Sequence, residues 1–324
     1  MIAVPDSFVR REELFLQEGD ILISSANSWN LVGKVARVPA LPYRATAGGF
    51  IAIVRAKPGA IEPEYLYRWL ASDANQAAIR ACGRQTTNIS NLSVPRFLDL
   101  PIALPERADQ VRAATILDKA DRLRRKRQEA IRLTDKLLRS KFEGAFGAPH
   151  TNAKGFPTTS LGELVKLKSG NFLPSHEMAG TGGVLVYGGN GVNGEHDTAM
   201  FEEAKLVIGR VGAYCGAVHL TKPHSWITDN ALYVSEISPL VRLEYLAFAL
   251  TQANLNQYSS QSGQPLVSAS RLYPVMLVLP PLSLQDAFLE VLDRTTRVQA
   301  SQTNSLEAIE EMSRSLAAEL FAQG

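Results

Sequence analysis

Cysteine is scarce: Cys82 and Cys215 are the only two in 324 residues. Two thiols cannot build a disulfide-stapled scaffold or a four-cysteine zinc site. His176, His196 and His224 are scattered without ligand spacing, so no metal is expected. No run of 18 apolar residues occurs, too little for a membrane-spanning helix. Met1 to Arg11 mixes Pro, Asp and Arg without the apolar stretch of a secretory signal, and a soluble, cytoplasmic protein is expected. Neither charge sign is in excess, with 34 Lys plus Arg against 32 Asp plus Glu. That balance carries no nucleic-acid signature, so any basic surface must come from uneven distribution. A phosphate loop of the Walker type is absent, which removes ATP-driven translocation.

What the chain does contain is one long internal repeat. Gly19-Asp20-Ile21-Leu22-Ile23-Ser24, then Gly33-Lys34-Val35-Ala36, is matched by Lys205-Leu206-Val207-Ile208-Gly209-Arg210, then Gly216-Ala217-Val218-His219. Pro63-Glu64-Tyr65-Leu66-Tyr67-Arg68-Trp69-Leu70 and Leu243-Glu244-Tyr245-Leu246-Ala247-Phe248-Ala249-Leu250 each start an amphipathic helix. Pro101-Ile102-Ala103-Leu104-Pro105 is matched by Met276-Leu277-Val278-Leu279-Pro280, and Gln110 by Gln285. The offset drifts from 185 to 175, as small loop deletions would produce.

Each copy ends in a long stretch without Pro or Gly, from about Asp109 to Phe142 and from about Ser283 to Gln323. At ~1.5 Å per residue the first spans about 50 Å, too long for most globular helices. Alternating steps of four and three connect Phe288, Leu292, Thr295, Gln299, Gln302, Leu306, Ile309, Ser313, Leu316 and Leu320. Shifted by 175, the same register gives Ala113, Leu117, Ala120, Arg124, Arg127, Ile131, Thr134, Leu138 and Lys141. This is coiled-coil spacing with a polar middle in both helices. The first helix carries 12 basic and 7 acidic residues, the second 3 and 7, so pairing with each other is favoured over self-pairing. Gly144, Gly147, Pro149, Gly155 and Pro157 mark a linker between the first helix and the second globular unit.

This order, with these motifs, resembles the specificity (S) subunit of type I restriction–modification systems. The core strings are Tyr187-Gly188-Gly189-Asn190-Gly191, Val207 to Gly216, and Thr228-Asp229-Asn230-Ala231. Leu279-Pro280-Pro281-Leu282-Ser283-Leu284-Gln285 looks like the family's turn into helix, with Leu104 to Gln110 as its degenerate twin, and Ser140 to Gly147 like the end of the first helix. The resemblance implies an α/β (α+β) chain with two target-recognition domains and two long helices packed as an antiparallel coiled coil. Its parts are a first recognition domain over 1–105, a spacer helix over 106–143, a linker over 144–156, a second recognition domain over 157–281 and a second helix over 282–324. About 48 residues separate Pro157 from Lys205 whereas 19 precede Asp20, so the first domain is expected to be N-terminally shortened, either by nature or because the sequence starts at an internal Met. The implied partners are double-stranded DNA, two modification (methyltransferase) subunits holding the S-adenosylmethionine chemistry, and restriction/translocase subunits in the full assembly. No cofactor is expected on this chain.

Catalytic alternatives are weak. Gly189-Asn190-Gly191-Val192-Asn193-Gly194 fits a dinucleotide fingerprint, but the residues that follow lack a helical stripe. Leu279 and Leu282 around Pro280-Pro281 are not the polar pocket of an adenine methyltransferase, and Glu203-Ala204-Lys205 has no upstream Asp on a nearby strand. Cys215 and His219, four residues apart on one expected strand, could pair as nucleophile and base; a small residue among glycines reads rather as packing. For DNA, Lys and Arg meet phosphates while Arg, Asn and Gln read base edges. Candidates in the second unit are Lys166, Lys168, Asn171, Tyr187, Asn190, Asn193, Arg210 and Tyr214. Those in the first are Ser25, Asn27, Trp29, Asn30, Lys34, Arg44, Arg84, Gln85 and Thr86. Trp29 and Trp226 read as packed, and Arg210 equally as a structural anchor. Rival readings are a truncated subunit that self-pairs to form two readers, a coiled-coil scaffold without DNA binding, and an enzyme using Cys215 and His219.

Overall fold

The computed structural model describes residues 5–85, 89–148, 152–178, 183–260 and 263–321. It divides into two units, Met1–Ile131 with Ser301–Gly324, and Arg132–Ala300. In the first, the apolar run after Asp20 forms β1 (Ile21–Ser24), followed by β2 (Ala26–Asn27), β3 (Val35–Arg37) and β4 (Ile51–Val54). β1 is the middle strand of an antiparallel sheet, with Leu22 between Ala36 of β3 and Ile53 of β4. Helices α1 (Pro63–Ala71) and α2 (Asp73–Ala81) follow. Pro63 opens α1 where a missing N–H costs nothing. Tyr65, Leu66, Trp69 and Leu70 are buried as one helical stripe, and the last three join Ile21, Ile23, Val32, Ile79 and Cys82 in one core. β5 (Gly83–Gln85) and β6 (Ser90–Leu92) then pair with β2 in the order β2-β6-β5, ahead of α3 (Val94–Leu98) and α4 (Arg107–Phe146).

After the last turns of α4, the second unit continues with β7 (Thr158–Ser160), the single turn α5 (Leu161–Leu164) and β8 (Val165–Ser169). Next come β9 (Val184–Gly188), β10 (Gly191–His196), β11 (Leu206–Gly209), β12 (Val218–Leu220), β13 (Ser225–Ile227) and β14 (Ala231–Ile237). Helices α6 (Leu243–Gln252) and α7 (Ala269–Leu272), strand β15 (Met276–Val278) and the part of helix α8 (Leu282–Phe321) up to Ala300 complete it. The sheets are β12-β11-β14-β8, β10-β9-β13 and β15-β7. Leu206 and Ile208 pack in one core with Leu161, Leu164, Tyr245, Leu246 and Leu277.

The repeat is physical as well as textual. Val207 sits between His219 of β12 and Tyr233 of β14, as Leu22 sits between Ala36 and Ile53. Buried Gln285 accepts from Arg242 N at 2.8 Å and donates to Pro280 O at 2.8 Å and Leu240 O at 3.0 Å. Its twin Gln110 accepts from Glu62 N at 2.9 Å and donates to Pro105 O at 2.8 Å. Tyr65 and Tyr245 donate to Ala103 O and Val278 O, both at 3.0 Å. Each phenol also meets a phenylalanine edge, Phe321 at 5.4 Å and Phe146 at 5.2 Å. One amide side chain thus pairs the N–H at the start of the shorter helix and the carbonyl of the proline that precedes the long one.

The two long helices run antiparallel within each unit. In the second, Phe142 meets Phe288 while Gln299 donates to Asp135 at 3.0 Å. In the first, Arg127 donates to Gln302 at 2.7 Å, while Leu117 lines one cleft with Ser313. Arg127 and Gln302 are twins at the 175 offset, so this bond joins the same position of the two copies. The expected register from Phe288 to Leu320 is buried or half-buried throughout, as is that from Ala113 to Leu138. It breaks at Lys141, which is exposed. Phe142 and Phe146 are buried instead, because the helix there turns a 4,4-spaced aromatic edge into the core of the second unit. For the same reason α4 continues through Gly144, three residues beyond its expected end at 143. Gly147, at φ +86, ends it with its N–H on Glu143 O at 2.8 Å.

Candidate nucleic-acid interface

Three glycine-bearing segments of the second unit converge backbone to backbone. Gly188 and Gly191 pair across a two-residue hairpin whose tip is Gly189-Asn190. A Cβ on Gly189 would stand 3.3 Å from both Asn230 O and Gly209 Cα. One on Gly209 would meet Tyr214 O at 2.2 Å and Gly189 O at 2.7 Å, so no side chain fits at this crossing. Arg210 leaves the crossing with its N–H on Asn230 O at 2.9 Å, and its carbonyl accepts from Val267 N at 2.9 Å. Its Nη1 donates to Ser169 Oγ at 3.2 Å, whereas its Nε is buried without a hydrogen-bond partner, as is Thr228 Oγ1. Asn171 N donates to Ile227 O at 2.9 Å and Trp226 Nε1 to Asn171 O at 3.3 Å, which ties the loop after β8 to β13.

The crossing therefore gathers Asn190, Arg210, Tyr214 and the end of β8 with Lys168 and Asn171. Asn190, Asn193, Lys168, Asn171 and Tyr214 are exposed and Arg210 is half-buried. Two candidates do not fit. Tyr187 is buried with Val207, Ile227 and Tyr233, and its hydroxyl accepts from Lys222 N at 3.0 Å; a strand residue facing the core cannot touch DNA. Lys166 lies at the other end of β8, its ammonium 2.7 Å from Glu236, which holds it more firmly protonated and neutralises its charge. Sequence reasoning missed Ser169, Asn230 and the exposed ring of Phe172 beside Asn171. An aromatic residue in the polar Ser169-Gly170-Asn171 loop was the available signal.

Cys215 and His219 do not share a strand: Cys215 follows a 3-10 turn and His219 lies on β12. Burial raises the Cys215 thiol, and its S–H reaches Arg210 O at 3.4 Å, the setting of a structural thiol rather than a nucleophile. His219 Nε2 lies 3.4 Å from Gly189 O and so adjoins the crossing. Trp226 is half-buried, edge-on to His196.

In the first unit the candidates gather on a different sheet. Asn27 of β2 and Gln85 of β5 flank Ser90, while Arg84 is opposite Asn91; Asn27, Arg84, Gln85 and Asn91 are exposed. Ser25 adjoins this sheet through its carbonyl, which accepts from Leu92 N at 2.8 Å. Trp29 borders Gly83 and remains 40% exposed, with Asn30 exposed in the same turn. Thr86 lies outside the described residues. Lys34 stands apart, in a cleft with Gln76 and Arg80. Arg44 is also displaced from the group: its guanidinium lies 3.7 Å above the Phe15 ring and 2.6 Å from Glu12. Among the described residues the first unit has no counterpart of β7 to β10, and hence none of the Gly189-Asn190 hairpin. No described helix is long and apolar enough to cross a membrane.

Comparison with known proteins bears on this arrangement. A family model described as the type I restriction modification DNA specificity domain matches residues 2–133 and 153–311. The specificity subunit of the type I restriction enzyme EcoprrI of Escherichia coli is 30% identical over 162 residues, which span 49% of this chain and 39% of that protein. The solved S subunit of a type I restriction–modification system from M. genitalium is similar at TM-score 0.66 and 16% identity, over 94% of this chain and 83% of that one. A chain from a structural study of complex assembly and conformational transition of the type I R-M system gives TM-score 0.52 at 18% identity, over 95% and 82%. At these identities the structural likeness is one of fold.

Proposed function

The chain belongs to the type I restriction–modification DNA specificity family, and from that premise we propose that it is the DNA-reading, non-catalytic subunit of a cytoplasmic methyltransferase and endonuclease complex. One half-site of a bipartite target falls to each unit. The observation that carries the reading is the glycine crossing of the second unit, which leaves Asn190 at a hairpin tip and anchors Arg210 beside exposed Lys168, Asn171 and Tyr214. Lys168 is suited to phosphate, and the amides of Asn190 and Asn193 can donate to and accept from a base edge. The bond from Nη1 to Ser169 Oγ orients the Arg210 guanidinium, whose buried Nε makes no hydrogen bond. Asn27, Arg84, Gln85 and Asn91 are the corresponding surface of the first unit.

Modification subunits carrying S-adenosylmethionine, and restriction subunits, are the proposed protein partners. Mild net charge suits a reader that shares phosphate binding with such partners. Co-expression with a type I modification subunit, followed by mapping of methylated bases, tests the whole reading. A bipartite methylated motif is the expected result. Asn190→Ala should relax the preference at one half-site, by about 1–3 kcal/mol for a base edge that is no longer hydrogen-bonded, and leave the other unchanged. Methylation whose preference is indifferent to Asn190→Ala and Arg210→Ala together would remove the crossing from the interface.

A further inference from the structure

The loop that leaves β8 holds a large apolar ring in water and is fixed on both sides of it. Phe172 is 72% exposed, whereas Leu173, the next residue, is 5% exposed. Ahead of the ring, Gly170 donates its N–H to Ala231 O at 3.1 Å and Asn171 donates to Ile227 O at 2.9 Å. Trp226 closes the same turn from its other side, with Nε1 on Asn171 O at 3.3 Å. Gly170 lies directly against the end of β13: a Cβ there would run into Ile227 O and Thr228 O, so only glycine lets the loop sit this close. The backbone at the root of Phe172 is thus set by bonds to the neighbouring strands. Burying such a ring is among the larger single gains open to a fold, yet Phe172 joins neither core of its unit.

The surroundings indicate what could cover it. Lys168, Ser169 and Asn171 precede the ring and are exposed, and Arg210 donates from Nη1 to Ser169 Oγ at 3.2 Å. Residues 165–174 contain two lysines and no carboxylate. A bare π-face among a cation, an amide and a guanidinium suits an anionic polymer with stacked rings inside it better than the surface of another protein.

We propose that Phe172 is a wedge: its ring enters the bound duplex between two base pairs of the half-site read by the second unit, while Lys168 meets a neighbouring phosphate. Because the loop backbone is held, the duplex yields rather than the protein. The step that opens is a pyrimidine–purine step, which unstacks most readily, so the ring adds sequence preference where no hydrogen bond is made. The proposal rests on the reading of the second unit as a DNA reader.

The test uses the full chain in complex with a type I modification subunit, and a duplex carrying the mapped methylated motif. 2-Aminopurine replaces each adenine in turn in the half-site that Asn190→Ala relaxes, and fluorescence and anisotropy are followed. The wild-type complex should brighten the probe at one pyrimidine–purine step. Phe172→Ala should abolish that brightening and weaken binding about 10-fold, with the preference at the other half-site unchanged. Phe172→Tyr, which keeps the ring, should retain both. Fluorescence and affinity that ignore Phe172→Ala, with the half-site still preferred, overturn the wedge and leave the DNA-reading assignment standing. Equally tight binding to a duplex with that half-site scrambled removes the assignment, and the wedge with it. Loss of the modification subunit from the complex on Phe172→Ala also overturns the wedge, by giving the ring to the protein partner.

Discussion

Gln110 and Gln285 do the same thing in the two units, whereas the Gly189-Asn190 hairpin of one unit has no counterpart among the described residues of the other. The likeness lies where chain geometry leaves little choice: a helix start and the strand before it present unpaired backbone groups that one buried amide can satisfy. The difference lies at an exposed edge, where a loop or strand can be present or absent without orphaning a core group. Repetition in this chain therefore marks where the backbone needs a partner, and divergence marks the surfaces free to carry recognition.

Twin substitutions sharpen that contrast. The largest gap is expected between Phe146→Ala and Phe321→Ala. Phe146 is 1% exposed among Phe142, Tyr245 and Phe288, so its loss should cost about 4 kcal/mol. Half-buried Phe321 meets Tyr65, and about 1–2 kcal/mol is expected from its smaller burial. Urea unfolding of both variants measures the gap; equal losses would mean the two junctions are packed alike.

Next come the glutamines. Gln285→Leu orphans three backbone groups and should cost about 3 kcal/mol, against about 2 kcal/mol for Gln110→Leu, which orphans two. Thermal unfolding of the pair ranks them.

Acid should find the first unit before the second. Burial alone would raise the Asp20 carboxyl, but two hydrogen bonds from Arg55, both 2.6 Å, the Gln17 N–H and the Arg55 charge hold it below the ordinary value. A depressed folded value means stability that is fully present above the unfolded carboxyl pKa and lost as pH falls through the folded one. Asp20→Asn should cost about 2 kcal/mol at pH 7 and flatten that acid loss. The twin of Asp20 is Lys205, whose hydrogen bond holds the exposed Glu203 carboxyl below its ordinary value, so the second unit carries at that position a weaker dependence of the same sign, screened by solvent. Hydrogen exchange of β1 and β11 between pH 6 and pH 3 separates the two.

The smallest effect concerns Arg127, whose Nε is buried unpaired beside the bond to Gln302. Arg127→Leu with Gln302→Leu should be neutral or stabilising by about 1 kcal/mol, since a half-satisfied buried ion gives way to packing. A loss of several kcal/mol would show that the polar layer holds the pair in place.

Much of the architecture was legible because it is periodic. The 4,3 spacing from Phe288 to Leu320 depends on helix geometry alone, and the buried positions of α8 follow it. Lys141 failed because heptad counting assumes one partner throughout, while α4 changes neighbour near Phe142. The candidate site was half legible. Asn190 and Arg210 stand in glycine-rich strings that announce close backbone approach, but Tyr187 looked equivalent in the same string. Strand parity turned it inward, and parity depends on a register that no single segment carries.

By itself, then, the amino-acid sequence determined the repeat, the two long helices and the chain order, since each follows from local periodicity or from the matching of one segment with another. Only the tertiary structure decided that Gly189, Gly209 and Asn230 meet, and that Arg44 and Lys166 are paired with Glu12 and Glu236 rather than gathered with the other residues nominated for DNA. Those outcomes belong to pairs of residues far apart in the chain, and excluded volume and hydrogen-bond pairing between them exist only once the backbone has folded.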